Sequence, residues 1–597
     1  MAMLKNRSEI DERFKWRLED IYQNEDLWYK DFNKVDELIN KLTSYKNKIK
    51  SKEVLAEVLK LKDQIGETVG KLYAYARMRR DEDNSNQKYQ ALSDKAMNLY
   101  IKVMSLSSFI TPEILSIDTN ELRKMVLEYD GLKLYKQYID NLIRYKPYIL
   151  KENEEKILAE SQIIGESFDN IYTMLNNADI KFPIIKDEDG ENIELTHGNF
   201  IKFMESKNRD VRENAFNSMY NTYKSLINTF SAIISANVKK DVFYSKLRGY
   251  PSSLEASLFD DNVTKEVYTN LIDTIHKRIG LLHRYVRLRK KLLGLNELHM
   301  YDLYVPLIKD YEKQFTYEEA KEIIIKGLEP LGEEYINILK EGFNSRWIDV
   351  YENRGKTSGA YSWGAYGTHP FVLLNFQGNI NNVFTIAHEM GHSLHTYYSN
   401  FAQPYIYSGY KIFVAEVAST NNEALLIDYM LKNSKDTSEK LYLLNHYFEE
   451  FRGTVYRQVM FAEFEKFMHE MVEKGESLTP EVLSNKYFDL NKFYYGDDLF
   501  IDEGISFEWA RIPHFYGNFY VYKYATGFSA AIAISKMILN EGSSAVERYK
   551  EFLKGGSSDY PLNLLKKAGV DLTTPKPIND ALDVFENLLN EFENLMR

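Results

Sequence analysis

The sequence contains no cysteine. That absence excludes disulfides, thiolate zinc fingers and a cysteine nucleophile. It fits a reducing compartment, and a cytoplasmic location is expected. Long hydrophobic runs are also missing. Nothing approaches 18 uninterrupted apolar residues, so no transmembrane helix is expected. The opening Met-Ala-Met-Leu-Lys-Asn-Arg-Ser-Glu-Ile has no apolar core of the signal-peptide kind. Positive charge is not in excess: 76 Lys and Arg stand against 88 Asp and Glu, a net charge of −12. A general nucleic-acid binder is therefore not expected, nor a membrane partner. Oligomeric state is not legible.

What is present describes a globular chain. Of its 597 residues, 44% are hydrophobic and 27% charged, a balance suited to large buried cores. Length alone suggests roughly two to four domains. The 45 Tyr and 33 Phe are scattered at helical spacing and read as packing residues. The first 180 residues read as helices. Val35, Leu38, Ile39 and Leu42 follow an i, i+3, i+4, i+7 pattern, and Ile65, Val69, Leu72, Tyr73 and Ala76 repeat it. Further amphipathic runs fall at about 88–108, 120–145 and 150–176. At 181–197, Lys181-Phe-Pro-Ile-Ile and Asn192-Ile-Glu-Leu-Thr flank Asp187-Glu-Asp-Gly190, which predicts a β-hairpin with an acidic turn. Helices resume over about 199–245, 265–293 and 317–342, where His276, His283 and His299 are isolated and read as packing or surface residues.

From 355 the composition shifts. Gly355, Gly359, Gly364, Gly367 and Gly378 punctuate a segment containing Pro370-Phe-Val-Leu-Leu-Asn-Phe376, which reads as short strands. An exposed strand edge can pair with the backbone of an extended peptide. Gly359 and Ala360 are therefore candidate substrate-binding residues.

Directly after these strands comes Thr385-Ile-Ala-His-Glu-Met-Gly-His-Ser-Leu-His395. It contains H-E-x-x-H. On a helix His388 and His392 lie about 40° apart and one turn from each other, so both imidazoles can reach one Zn²⁺. Glu389 is rotated about 100° from His388, placed to act as general base on water. Val383, Ala387, Met390 and Leu394 give an apolar stripe, and Asn381 or Asn382 can cap the helix start. A third ligand is sought downstream. His395 shares the His388 face but cannot easily wrap round the same ion, so a supporting or surface role is expected. Phe413-Val-Ala-Glu-Val-Ala-Ser-Thr-Asn-Asn-Glu423 places Glu416 and Glu423 on one helix face with Ser419 between. One can be a ligand and the other can hold a ligand histidine. Two histidines and one carboxylate leave a fourth position to water. Further on, the segment 502–527 carries His514, Tyr516, Tyr520, Tyr522 and Tyr524 around Gly517. Phenol and imidazole donors suit an oxyanion; alone, such a tyrosine run also reads as packing.

These stretches together resemble the oligoendopeptidase F branch of the thimet oligopeptidase (M3) family of zinc metallopeptidases. The likeness rests on 388–395, 413–423 and 511–527, supported by Thr454-Val-Tyr-Arg-Gln-Val-Met-Phe-Ala-Glu-Phe-Glu465, Phe552-Leu-Lys-Gly-Gly-Ser557 and Trp16-Arg-Leu-Glu-Asp-Ile-Tyr22. It implies one Zn²⁺ per chain held by His388, His392 and Glu416, with Glu389 as base and Glu423 supporting a ligand histidine. His514 and a following tyrosine, here Tyr522, would bind the substrate carbonyl or oxyanion; Tyr516 and Tyr520 are the other candidates. The implied fold is mainly α, an elongated zincin with two helical halves around a deep channel and a small sheet next to the active-site helix. Residues 1–198 would form a helical lid or wall ending in the hairpin, and 199–597 the catalytic domain. The implied function is hydrolysis of internal bonds in short oligopeptides. Dipeptidyl carboxypeptidase or carboxypeptidase action on the same scaffold, or peptide binding without cleavage, are the rival readings.

Overall fold

Ser51 accepts the Val54 N–H and starts the 31-residue helix Lys52–Glu82. Leu55, Val58, Leu59, Ile65, Val69, Leu72 and Ala76 form its buried face, the spacing expected of an amphipathic helix. The same logic builds most of the molecule. The computed structural model describes residues 4–308 and 313–596. Within these residues helices dominate, accompanied by three small sheets. Among the described residues no helix is long and apolar enough to cross a membrane. The predicted helical run at 120–145 is broken into Thr119–Glu128, Asp130–Lys133 and Lys136–Tyr145. Tyr129, at the first break, is extended at φ −115° and ψ 113°, so the periodic pattern is carried by separate short helices.

The chain forms two units. One comprises Met1–Pro147, Glu312–Met430 and Ile534–Gly569; the other comprises Tyr148–Tyr311, Leu431–Ala533 and Val570–Arg597. Residues 1–198 and residues 199–597 each supply segments to both.

In the first unit, Ile348–Asp349 pairs parallel with Phe371–Leu373, which pairs antiparallel with Tyr361–Trp363. Phe371 and Leu373 join a core that includes Trp16, Leu72 and Tyr75. Asp349 is buried yet paired with Arg7 at 2.6 Å and Lys356 at 2.7 Å. Burial pushes its carboxyl pKa up, but the two cations more than offset this and hold it below the usual range. The following loop is fixed at Asp81, which accepts the Thr357 hydroxyl at 2.8 Å and the Tyr361 hydroxyl at 2.9 Å. Tyr361–Trp363 is thereby held as an edge strand, with Ser362 Oγ 2.8 Å from Ser393 Oγ on the helix Ile380–Ala402.

In the second unit the expected hairpin is present: Ile184–Lys186 pairs with Asn192–Glu194. Its turn is closed by Asp187, whose carboxylate accepts the Asp189 N–H at 3.0 Å and the Glu191 N–H at 2.9 Å. Gly190 at φ +81° supplies the left-handed residue. Deeper in the unit, fully buried Glu508 accepts the Tyr220 and Tyr487 hydroxyls and the Arg457 guanidinium. This polar knot anchors the 3₁₀ turns Glu503–Arg511 that lead to Pro513–Tyr516.

Candidate active site

Asn379 starts the motif helix, Ile380–Ala402; its side chain accepts the Asn382 N–H. The cap thus lies two residues before the earlier of the two positions expected, because Gly378 at φ +88° turns the chain and leaves Asn379 extended. Val383, Ala387, Met390 and Leu394 are all buried along one stripe. The opposite flank carries His388 and His392, one turn apart.

A second helix, Ile412–Asn433, crosses the first at close range. A Cβ built on Gly391 would lie 2.6 Å from Ser419 Cα and 2.7 Å from Ala418 O. Only a residue without a side chain lets the backbones approach this far. Asn422 locks the crossing: its amide donates to Ala387 O at 3.1 Å and its carbonyl accepts the Tyr335 hydroxyl at 2.8 Å. Ala387 is the residue before His388, so this bond fixes the motif where it matters.

The crossing brings Glu416 to the histidines. Its Oε2 is 3.3 Å from His388 Nε2 and 3.4 Å from His392 Nε2, and the three donor atoms all lie within 4.8 Å of one another. Ligands about 2.05 Å from a tetrahedral ion stand about 3.3 Å apart. The two Glu416–histidine spacings match that separation, and the donor set fits zinc in chemistry. Among the described residues it is the only group of three or more such side chains placed to hold a metal. Glu423 Oε2 lies 3.3 Å from His388 Nδ1, so the outer nitrogen faces a carboxylate that orients the ring. Ser419 donates to Glu416 Oε2 at 2.9 Å. Burial pulls the His388 pKa down, but the carboxylates of Glu416 and Glu423 more than offset it and raise the pKa well above the usual value. Binding a metal replaces that proton.

Glu389 is buried beside the donor set, and burial pushes its carboxyl pKa above the ordinary value against the pull of His388 and His392. A carboxylate with raised basicity suits a general base. His395 is neither a ligand nor a surface residue. It is fully buried, stacked on Tyr410 with ring centroids 3.7 Å apart, and burial lowers its pKa to about 3. It shares the His388 face as expected, but as a neutral packed ring.

Gly359 and Ala360, just before the edge strand, line a cavity of about 260 Å³ together with Thr385 and Ile386 on the motif helix. Thr385 is one turn before Glu389, so this cavity borders the first turns of the motif helix.

The tyrosine-rich segment lies in the second unit. His514 is half-buried, and burial lowers its pKa. Tyr516 is stacked on Tyr172 at 4.2 Å. Tyr522 is turned into the core against Tyr268, centroids 5.2 Å apart. Tyr520 and Tyr524 are the tyrosines brought to His514: the Tyr520 ring is 6.2 Å from it, and the Tyr524 hydroxyl is 3.4 Å from His514 Nε2. Tyr524 had no distinguishing signal in the sequence, since the i, i+2, i+4 spacing treats all these tyrosines alike.

Two helices that converge two histidines and a carboxylate beside a buried glutamate define a metallopeptidase-type centre. Comparison with known proteins gives the family. Residues 202–584 match the model of peptidase family M3, and residues 113–182 that of oligopeptidase F; the chain belongs to peptidase family M3. It is 54% identical to oligopeptidase PepF of Bacillus subtilis over 99% of this chain and 89% of that protein. Identity to the group B oligopeptidase PepB of Streptococcus agalactiae is 40%, over 100% of this chain and 99% of the relative. The crystal structure of oligoendopeptidase-F from Enterococcus faecium superposes with a TM-score of 0.75 at 37% identity, covering 96% of this chain and 99% of that one.

Proposed function

We propose that this protein is a cytoplasmic zinc metalloendopeptidase that hydrolyses internal peptide bonds of short oligopeptides. The observation that carries the reading is the convergence of His388, His392 and Glu416, donor atoms within 4.8 Å of one another, with Glu389 buried beside them. The names of the relatives, oligopeptidase and oligoendopeptidase, support oligopeptides as substrates.

His388, His392 and Glu416 would hold one zinc ion, and Glu423 would fix the His388 tautomer. Zinc, when bound, supplies Lewis acidity that makes water a nucleophile near neutral pH and polarises a carbonyl. Glu389 takes a proton from the attacking water and delivers it to the leaving amine. His514 and a tyrosine of the same segment donate hydrogen bonds to the carbonyl oxygen as it gains charge. We assign the tyrosine role to Tyr524, whose hydroxyl lies by His514, in place of Tyr522, whose ring is in the core. Gly359 and Ala360 offer backbone groups to an extended peptide. Residues 1–198 would restrict entry to short, unfolded chains.

The test is hydrolysis of an internally quenched oligopeptide blocked at both ends, with and without a zinc chelator. Cleavage that the chelator abolishes and zinc restores is expected. An exopeptidase would leave the blocked peptide intact, and a binding scaffold would retain peptide stoichiometrically without cleaving it; either result overturns the proposal.

A further inference from the structure

The segment between His514 and Tyr524 contains a backbone anomaly. Phe519 has φ +50°, a left-handed conformation that bulky residues seldom adopt. One turn spans it, Tyr520 N–H to Gly517 O at 3.1 Å, and turns lie on either side: Gly517 N–H to His514 O at 3.0 Å and Tyr524 N–H to Val521 O at 3.2 Å. Phe519 lies between His514 and the tyrosines that follow it, of which Tyr520 and Tyr524 stand beside the imidazole while Tyr522 lies in the core.

Something must hold that conformation. Phe519 N–H donates to Glu465 Oε1 at 2.6 Å. Glu465 lies on the helix Arg457–Glu473 and is fully buried. Its other oxygen, Oε2, has no hydrogen-bond partner among the described residues. An apolar side chain of the same size would fill this core position at lower cost than a carboxyl removed from water. What the carboxyl adds is one strong acceptor at the strained residue. The Phe519 ring is held from the same helix and from a neighbour: it packs on His469, centroids 4.4 Å apart, and on Tyr268 at 5.8 Å.

We infer that Glu465 is a positioning residue for substrate binding: by holding the Phe519 N–H it keeps the turn in the conformation that sets Tyr524 beside His514. The inference rests on the proposed role of His514 and Tyr524. Burial pushes the Glu465 carboxyl well above its usual range, so a neutral amide should replace it.

The test compares Glu465→Gln, Glu465→Asp and Glu465→Ala as zinc-loaded full-length protein on the quenched peptide. Glu465→Gln keeps an acceptor at the N–H and should stay within about threefold of wild-type kcat. Glu465→Asp, one methylene short, and Glu465→Ala should lose about tenfold to 100-fold in kcat with a smaller change in KM, because displacement of a donor acts on the transition state. Metal content should be unchanged in all three. If Glu465→Ala does not fold, Glu465→Asp against Glu465→Gln decides. The double variant Glu465→Ala/Tyr524→Phe should lose little beyond Tyr524→Phe alone, since both act through one hydroxyl; additive losses would mark a merely structural role and overturn the inference. Wild-type kcat in the Asp and Ala variants overturns it as well. His514→Ala is the separate arm. If it is impaired while Glu465→Ala is not, only this inference fails; if it has wild-type kcat, the underlying reading fails and this inference with it.

Discussion

In the proposed mechanism Glu389 and Ser419 act on the same centre by different means, and their substitution separates proton transfer from metal binding. Glu389→Gln removes the base but leaves His388, His392 and Glu416 in place. Zinc content by atomic absorption should stay at one per chain, while kcat falls by about 10²- to 10⁴-fold; near wild-type turnover would refute the base assignment. Ser419→Ala should show the converse. It deletes the hydroxyl that donates to the Glu416 ligand oxygen. Losses of about 10- to 100-fold in zinc affinity follow when such supporting bonds are removed, measurable by competition with a chromophoric chelator. With zinc saturating, kcat should return close to that of the wild type.

The motif helix and the acidic helix bring the proposed metal ligands together where they touch at Gly391. A side chain there meets Ser419 Cα and Ala418 O, both backbone-fixed. Gly391→Val should therefore push the helices apart, cost about 1–3 kcal/mol of stability as overpacking does, and reduce bound zinc below one per chain. Full zinc occupancy in a stably folded variant would show that the crossing tolerates a wider gap. Element identity was legible in the sequence to a useful degree. The motif helix, the acidic helix, the hairpin and the strand at 371–373 all follow from periodicity and turn residues. The helix cap and the fate of His395 were not legible. Asn379 competes with two neighbouring asparagines of equal propensity, and only the turn at Gly378 selects it. His395 shares a helix face with His388, which predicts a supporting or surface role, and only its burial against the Tyr410 ring shows it to be core.

Across the whole molecule, stability should depend on metal and on pH in separable ways. A ligand that binds the folded state alone adds RT ln(1 + [L]/Kd), about 2.7 kcal/mol at 100-fold excess over Kd. Chelation should lower Tm, and added zinc should restore it; a Tm indifferent to zinc would argue against a tight site. The pH effect has a different origin. Asp302 is fully buried between Arg209 at 2.8 Å and Arg212 at 2.6 Å. Burial pushes its pKa up, but hydrogen bonds from the two arginines hold it below the ordinary value. A lowered folded-state pKa stabilises fully above the unfolded value, about 3.9 for Asp, and that stabilisation is lost as pH falls through the folded value. Urea midpoints should drop below about pH 4 in the wild type, and Asp302→Asn should be less stable at neutral pH with a flatter acid limb.

The sequence by itself determined the residues of the candidate metal site and the helical class of the fold. Those rest on short-range order: a spacing of four residues, at 3.6 per turn, places His388 and His392 on one face, and apolar periodicity marks each buried face. Tertiary structure alone decided which distant groups meet. Glu416 reaches the histidines through a glycine crossing, Asn422 and Tyr335 lock it, and Tyr524 stands beside His514 while Tyr522 lies in the core. These depend on close backbone approach and, as inferred, on one left-handed residue held by a buried carboxyl. Neither leaves a periodic trace, because a contact between residues far apart in the chain is set by packing in three dimensions rather than by local spacing.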